Sequence, residues 1–254
     1  MIRVGVLGAA GRMGREVRDA VASAADLELV AAVDPDHGGE DADGVAIAAT
    51  IEALADADVA VDFTHPSAVM QNIRWCLAHG VHAVVGTTGI SPQDLDEVRS
   101  LADDADADAN VVVAPNFALG AVLLLRFAAE AARFFDAAEV IELHHDGKAD
   151  APSGTALATA RAINAARAGD WSAPDAIGAD PSARGADVDG VRVHAIRLPG
   201  LVAHEEVLFG GPGQVLTLRH DATDRSAFMP GVLLAVRSVA DRPGLTVGLD
   251  ALLD

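Results

Sequence analysis

Short apolar runs with little polar alternation recur through the first half of the chain, each followed by a stretch of helical period. Arg3 to Leu7 meets a glycine-rich turn and then a helical pattern from Met13 to Ala24. Leu27 to Val33 (LELVAAV) is a second run, ending at Asp34. Ile51 to Ala57 reads as a short helix and Val59 to Phe63 (VAVDF) as a third strand. Ser67 is placed to N-cap a helix running to about His79, with Gly80 closing it. His82 to Val85 is another strand, Ser91-Pro92 opens the next helix in a cap-then-proline arrangement, and Val111 to Ala114 ends the series. Strands that are apolar without alternation are buried on both faces. Alternating with helices, they predict a doubly wound parallel sheet in an α/β protein.

After Asn116 the rhythm changes. Leu119 to Phe135 is a long helix, Val140 to His144 a strand, and a helix follows from about Gly154 to Ala168. Gly169 to Gly190, rich in Gly, Ala, Asp and Pro, reads as a long loop. Three alternating strands come next, in VRVHAIRL, VAHEEVLF and QVLTLRH, and strands grouped this way predict a smaller α+β domain with a mixed sheet. A final helix (about Arg225 to Ala240) and strand (Leu245 to Leu249) can return to the first domain. The expected division is therefore residues 1–115, completed by 226–254, and 116–225.

Composition narrows the function. Of 254 residues, 51% are hydrophobic, enough for a real core, but no apolar run approaches the roughly 18 residues of a membrane span. The net charge of −20 argues against a nucleic-acid surface, which needs clustered Lys and Arg. The acid is concentrated in patches such as DPDHGGEDAD and the Asp103–Asp108 region, read as solvated surface. MIRVGVLG opens as a strand without signal-peptide features, and the single cysteine, Cys76, lies in a helix-like stretch as a small buried hydrophobe. A cytoplasmic protein is expected.

Two constellations carry chemistry. In VGVLGAAGRMG, Gly8 permits a tight turn, Gly11 lets backbone approach a pyrophosphate, and Gly14 allows helix and sheet to pack closely. The spacing is GxxGxxG rather than GxGxxG, but the turn follows a strand and opens a helix. Asp34 follows at the end of the second strand, where an acid binds the adenosine ribose. Asp34 favours NAD, whereas the Arg12 guanidinium can pair with a 2′-phosphate, so dual use is expected. Two further turns, FTHP from Phe63 and GTTG from Gly86 through Thr87 and Thr88, lie at carboxyl ends of strands, where such sheets bind ligands.

The second constellation is HHDGKADAPSGTA, which holds His144, His145 and Lys148, the only lysine among 18 basic residues. Adjacent histidines project differently and no matching acid or cysteine spacing follows, which disfavours a metal site. PSGT is not a nucleophile elbow, and a Schiff-base role for Lys148 stays open in principle. An anion pocket fits better. Ser153, Gly154 and Thr155 at a helix start offer N–H groups, hydroxyls and a positive dipole end to a carboxylate. The lysine and a histidine can neutralise a second carboxylate and handle a proton.

Taken in order, VGVLGAAGRMG, DFTHP, VVGTTG, APNFALG and ELHHDGKADAPSGTA resemble the 4-hydroxy-tetrahydrodipicolinate reductase (dihydrodipicolinate reductase) family in its actinobacterial form, over essentially the whole chain. The resemblance implies a Rossmann-type domain completed by the C-terminal segment, a mixed-sheet substrate and tetramerisation domain, and NADH- and NADPH-dependent reduction in lysine and diaminopimelate biosynthesis. It implies His144 as proton donor, Lys148 as its cationic partner, and a cyclic dicarboxylate held by His145, Lys148, Ser153, Gly154 and Thr155. It also implies a cofactor lined by Gly8, Arg12, Met13, Asp34, Gly86, Thr88 and the turn Ala114, Pro115, Asn116, Phe117, and a homotetramer. One departure is that some relatives carry a basic residue on both sides of the middle glycine, where this chain has Ala10 and Arg12. A non-catalytic NAD-binding redox sensor or another two-domain amino-acid dehydrogenase are the competing readings.

Overall fold

Two sheets organise the computed structural model, which describes residues 1–103, 108–167, 169, 171 and 181–253. Residues 104–107 of the Asp-rich patch, and 170 and 172–180 of the expected long loop, lie outside the described residues. The chain divides into two units, Met1–Phe117 with Phe228–Asp254, and Ala118–Ala227.

In chain order the first unit holds β1 (Ile2–Leu7), α1 (Arg12–Ala22), β2 (Leu27–Val33), β3 (Asp41–Ala42), β4 (Val45–Ala48), β5 (Val59–Asp62), α2 (Pro66–Ala78), β6 (His82–Val85), α3 (Pro92–Ala102) and β7 (Val111–Val113). The second holds α4 (Leu119–Ala131), β8 (Ala137–His144), α5 (Gly154–Ala166), β9 (Ala186–Val188), β10 (Val191–Arg197), β11 (Ala203–Gly211) and β12 (Gln214–Ala222). The chain then returns to the first unit with α6 (Met229–Ser238) and β13 (Leu245–Val247).

The first sheet has the order β13-β7-β6-β5-β1-β2-β4-β3. All its pairs are parallel except the β3–β4 hairpin. Burial on both faces explains the unalternating sequence: Val4, Val6, Val59, Val61, Val84 and Val111 are all essentially inaccessible. Because β1 pairs with β2 on one side and β5 on the other, the chain changes direction there, and a crevice opens beyond the carboxyl ends of those strands. The helix after β5 starts one residue before the expected Ser67 cap. His65 is the N-cap, its Nδ1 accepting from the Ser67 N–H at 3.3 Å, and Pro66, which needs no hydrogen-bond partner, takes the first helical position. Ser91 does cap α3, in a capping box with Asp94. Cys76 is buried, and burial pushes its thiol up to about 12.

The second sheet is mixed, in the order β12-β11-β8-β10-β9, with β8 and β10 parallel. Side chains of β8, β10 and β11 form a core with those of α4 and α5, including Leu124, Val140, Ala160, Ile163, Val207 and Phe209. Along β8 the inward positions Ala138, Val140 and Glu142 alternate with half-buried ones, so a carboxylate occupies a core position. Two differences from the sequence expectation are hairpins. β3–β4 turns through Asp43-Gly44 and β9–β10 through Asp189-Gly190, all four with positive φ, as a type I′ turn requires. No helix among the described residues is long and apolar enough to cross a membrane.

Candidate active site

The three glycines of the first turn separate by physical demand. Gly8 has φ +76°, and a Cβ there would lie 2.7 Å from the Phe63 carbonyl oxygen. At Gly14 a Cβ would lie 2.1 Å from the Gly8 oxygen, so helix and strand could not pack as they do. Gly11 is less constrained: its φ is −67°, but a Cβ would still press on the Gly8 oxygen at 3.1 Å. Gly11 is also the N-cap of α1, contributes no side-chain cap, and lines a cavity of about 630 Å³ together with Gly8, Asp34, Thr50, Phe63 and Thr64. Helix N–H groups left without a side-chain cap beside a glycine turn are free to face an anionic ligand. Arg12 is exposed at the first position of α1 and Met13 is half-buried.

Asp34 closes this cavity. Its Oδ2 accepts from the Ala10 N–H at 3.2 Å, and its Oδ1 accepts from the Asp36 N–H and pairs with His37 Nδ1 at 2.9 Å. Burial pushes Asp34 upward, but the bonds from His37, Asp36 and Ala10 outweigh it and hold the carboxyl below its ordinary value. It is an ionised acceptor at neutral pH. His37 was not apparent from the sequence, though it lies only three residues downstream.

The next two turns are tied together by Asp62, also missed from sequence. Its buried carboxylate accepts from the Thr64 N–H and hydroxyl, the Thr87 hydroxyl and the Asn72 amide, at 2.7–2.9 Å. Thr87 is therefore buried and structural, while Thr88 is exposed. Gly86 is required because a Cβ would lie 2.1 Å from the Phe63 ring, which in turn lies 5.8 Å from that of Phe117. Ala114 is buried, its N–H bonded to the Val85 carbonyl, and Pro115 is exposed.

In the second unit, Glu142 binds two of the predicted residues, His144 and Ser153, together with Arg197, which the sequence had not singled out. Its Oε2 accepts from His144 Nδ1 at 2.5 Å and from Arg197 Nη1 at 2.8 Å. Its Oε1 accepts from Arg197 Nη2 at 2.8 Å and the Ser153 N–H at 3.0 Å. Burial pushes Glu142 upward, yet Arg197, His144 and the Ser153 N–H together hold it below the usual carboxylate range. His144 is lowered, first by burial, with the Lys148 and Arg197 charges adding to this and Glu142 opposing it. Lys148 Nζ lies 2.7 Å from Asp150 Oδ1, and Arg197 also donates to the Asp150 carbonyl. Ser153 is buried; its N–H is bonded to Glu142, and its hydroxyl oxygen caps α5 by accepting from the Ala156 N–H, which leaves the hydroxyl hydrogen to donate. Gly154 is exposed at the helix start, Thr155 is half-buried behind it, and His145 is exposed. Among the described residues no cluster of metal-ligating side chains forms.

A doubly wound sheet with a glycine turn and an acid at the end of its second strand, joined in one chain to a mixed-sheet unit bearing a buried glutamate bonded to a histidine and an arginine, is the architecture of a two-domain nicotinamide-dependent oxidoreductase. Family models described as dihydrodipicolinate reductase, N-terminus, and dihydrodipicolinate reductase, C-terminus, match residues 2–117 and 120–253. The chain belongs to the dihydrodipicolinate reductase family, whose members function in lysine and diaminopimelate biosynthesis. It is 57% identical to the 4-hydroxy-tetrahydrodipicolinate reductase of Nocardia farcinica, covering 100% of this chain and 99% of that one. It is 56% identical, with the same coverage, to that of Thermobifida fusca. A solved dipicolinate-bound dihydrodipicolinate reductase from Paenisporosarcina sp. TG-14 superposes with a TM-score of 0.89 at 39% identity, over 100% of both chains.

Proposed function

We propose that the chain reduces (2S,4S)-4-hydroxy-2,3,4,5-tetrahydrodipicolinate to tetrahydrodipicolinate and water in the cytoplasm, using NADH well and NADPH detectably. The observation that carries this is the His144–Glu142–Arg197 assembly beside Lys148 and the α5 start, an arrangement able to hold a dicarboxylate and deliver a proton. The relative solved with dipicolinate, itself a cyclic dicarboxylate, supports the substrate class.

When bound at the glycine turn, the reduced nicotinamide cofactor supplies a hydride. Gly8, Gly11 and the N-terminus of α1 would hold its pyrophosphate, Asp34 a ribose hydroxyl, and Arg12 a 2′-phosphate when one is present. Met13, Phe63, the Gly86–Thr88 turn and Ala114–Phe117 complete the lining, Thr87 from behind.

Loss of the 4-hydroxyl together with a C5 proton releases water and leaves a conjugated cyclic imine; hydride addition at C4 then places electron density on C5, and His144 donates the proton there. With Nδ1 turned to Glu142, the proton leaves from Nε2. The free site keeps His144 below the ordinary imidazole value, partly through Lys148 and Arg197. A dianion offsets those cations, so substrate binding itself raises the affinity of His144 for the proton it will give. Lys148, His145, the Gly154–Thr155 helix start and, through its cap, Ser153 hold the carboxylates. Replacing His144 with Gln is expected to lower kcat by roughly two to four orders of magnitude with KM nearly unchanged. A near-normal kcat with raised KM would reassign His144 to binding.

The assembly we propose is a homotetramer built through the Val191–His220 sheet. Its edge strand β12 exposes Val215 at 71%, and Ile196 and Leu198 are exposed near the end of β10, leaving apolar surface for a partner to cover. Light scattering should return about four times the 25.9 kDa chain mass, and a stable active monomer would refute the assembly.

A further inference from the structure

Glu142 has a side chain with no solvent exposure, on the same face of β8 as Val140 and His144. An ionised carboxylate survives there only if its lone pairs are matched, and four donors match them: both terminal nitrogens of Arg197, the Ser153 N–H and His144 Nδ1. Because an ionised carboxylate only accepts, Nδ1 must be the protonated nitrogen, which leaves Nε2 to exchange protons with a ligand. The guanidinium that seats Glu142 reaches it from the parallel neighbour strand, where Arg197 pairs in register with His144. The same guanidinium donates to the carbonyls of Ile196 and Asp150, so it also fixes the segment that carries Lys148.

We propose that Glu142 and Arg197 are positioning residues for the reduction: Glu142 sets the tautomer and aim of His144, and Arg197 keeps Glu142 ionised and seated. This rests on His144 as the proton donor. The groups facing the imidazole are Glu142 from β8, Arg197 from β10, and Lys148 with its counter-ion Asp150 from the following loop. From β11, Glu205 stands opposite Glu142 in the antiparallel register. Of these, Glu142 is the carboxylate bonded to the imidazole, and without it nothing bonded to the ring opposes burial and the charges of Lys148 and Arg197. The donor would then lose its proton at lower pH.

The test uses Glu142→Gln, Arg197→Lys and Arg197→Gln in the full chain. Glu142→Gln should lower kcat about ten- to a thousandfold while the KM for substrate and for NADH stays within about threefold. The alkaline fall in its kcat/KM profile should move to lower pH. Arg197→Lys, which keeps the charge but not the fork, should retain more kcat than Arg197→Gln. Since a buried pair is being broken, histidine-selective ¹⁵N spectra of the unmodified chain give a reading that needs no folded Glu142 or Arg197 variant. With His144→Gln as the assignment control, His144 should show a protonated Nδ1 and a bare Nε2 near neutral pH. An Nε2–H tautomer overturns the proposal, as does a folded Glu142→Gln protein with wild-type kcat and an unmoved alkaline limb. Failure of the donor reading is separate, because it appears as near-normal kcat in His144→Gln itself.

Discussion

Glu205 should make the protein less stable as pH rises from about 4.5 to about 7, and Glu205→Gln should remove that dependence. The residue is 5% exposed, on the inward face of β11, opposite Glu142 on β8 and His220 on β12. Burial pushes its carboxyl from the ordinary 4.5 up to about 7, with the Thr159 hydroxyl opposing and the charge of Glu142 adding to the rise. No cation among the described residues pairs with it. Between pH 4.5 and 7 the folded chain therefore holds a proton that the unfolded chain has lost, so stability falls as pH rises across that window and levels off above it. At about 1.4 kcal/mol per pH unit, the gap amounts to about 3 kcal/mol, an order-of-magnitude figure. A glutamine is neutral at every pH, like the protonated acid it replaces. Its advantage over wild type should be near zero at pH 4, grow to about 3 kcal/mol by pH 8, and appear as roughly 6–12 °C in Tm for a chain of this size. Thermal unfolding of both proteins from pH 4 to 9 measures this directly. A Tm difference that stays constant across the series would show that Glu205 is ionised when folded, and the reasoning would fail.

Arg12→Ala should weaken NADPH more than NADH, because only the former carries a phosphate for the guanidinium; equal losses in the two Kd values would remove Arg12 from that role. Lys148→Arg should lower kcat/KM at least about tenfold, since a planar fork cannot reproduce the placement of a compact ammonium, and Lys148→Met should lower it further. NADH affinity should barely change in either variant, as the nucleotide turn belongs to the other unit, and wild-type kinetics in Lys148→Arg would show that the position needs only positive charge.

The parallel sheet was legible because burial on both faces leaves an unmistakable pattern, as in VGVL and VAVDF. The two hairpins β3–β4 and β9–β10 escaped notice although each carries an Asp-Gly dipeptide, Asp43-Gly44 and Asp189-Gly190. Their strands are only two to seven residues long, and β3 and β9 are too brief to show alternation. At His65-Pro66 the rule already applied to Ser91-Pro92 would have placed the cap correctly, since proline favours the first helical position over the second. The buried acids were a different kind of omission. Glu142 falls two residues after Val140 in an alternating strand, and a carboxylate at a core position demands partners. Periodicity reveals the demand but not who meets it: Arg197 is brought to Glu142 only by the parallel register of β8 and β10.

That pairing also explains why the lone lysine and the arginine beside it are not equivalent. In a chain of charge −20 acids far outnumber cations, and each of these two cations has an acid partner. Arg197 is matched bidentately to a carboxylate with no exposure, a bond whose rupture would strand a buried charge and cost about 3–5 kcal/mol. Lys148 is matched to Asp150, whose side chain is 57% exposed, and a pair of that kind is worth about 0–1 kcal/mol. An incoming carboxylate can displace Asp150, which water then resolvates, but it cannot displace Glu142. For the dicarboxylate substrate proposed above, Lys148 is therefore the cation of these two that is available, and its flexible stem would let the ammonium exchange one carboxylate for the other without disturbing the frame. The planar fork belongs where the partner must never leave, and the mobile ammonium where it must.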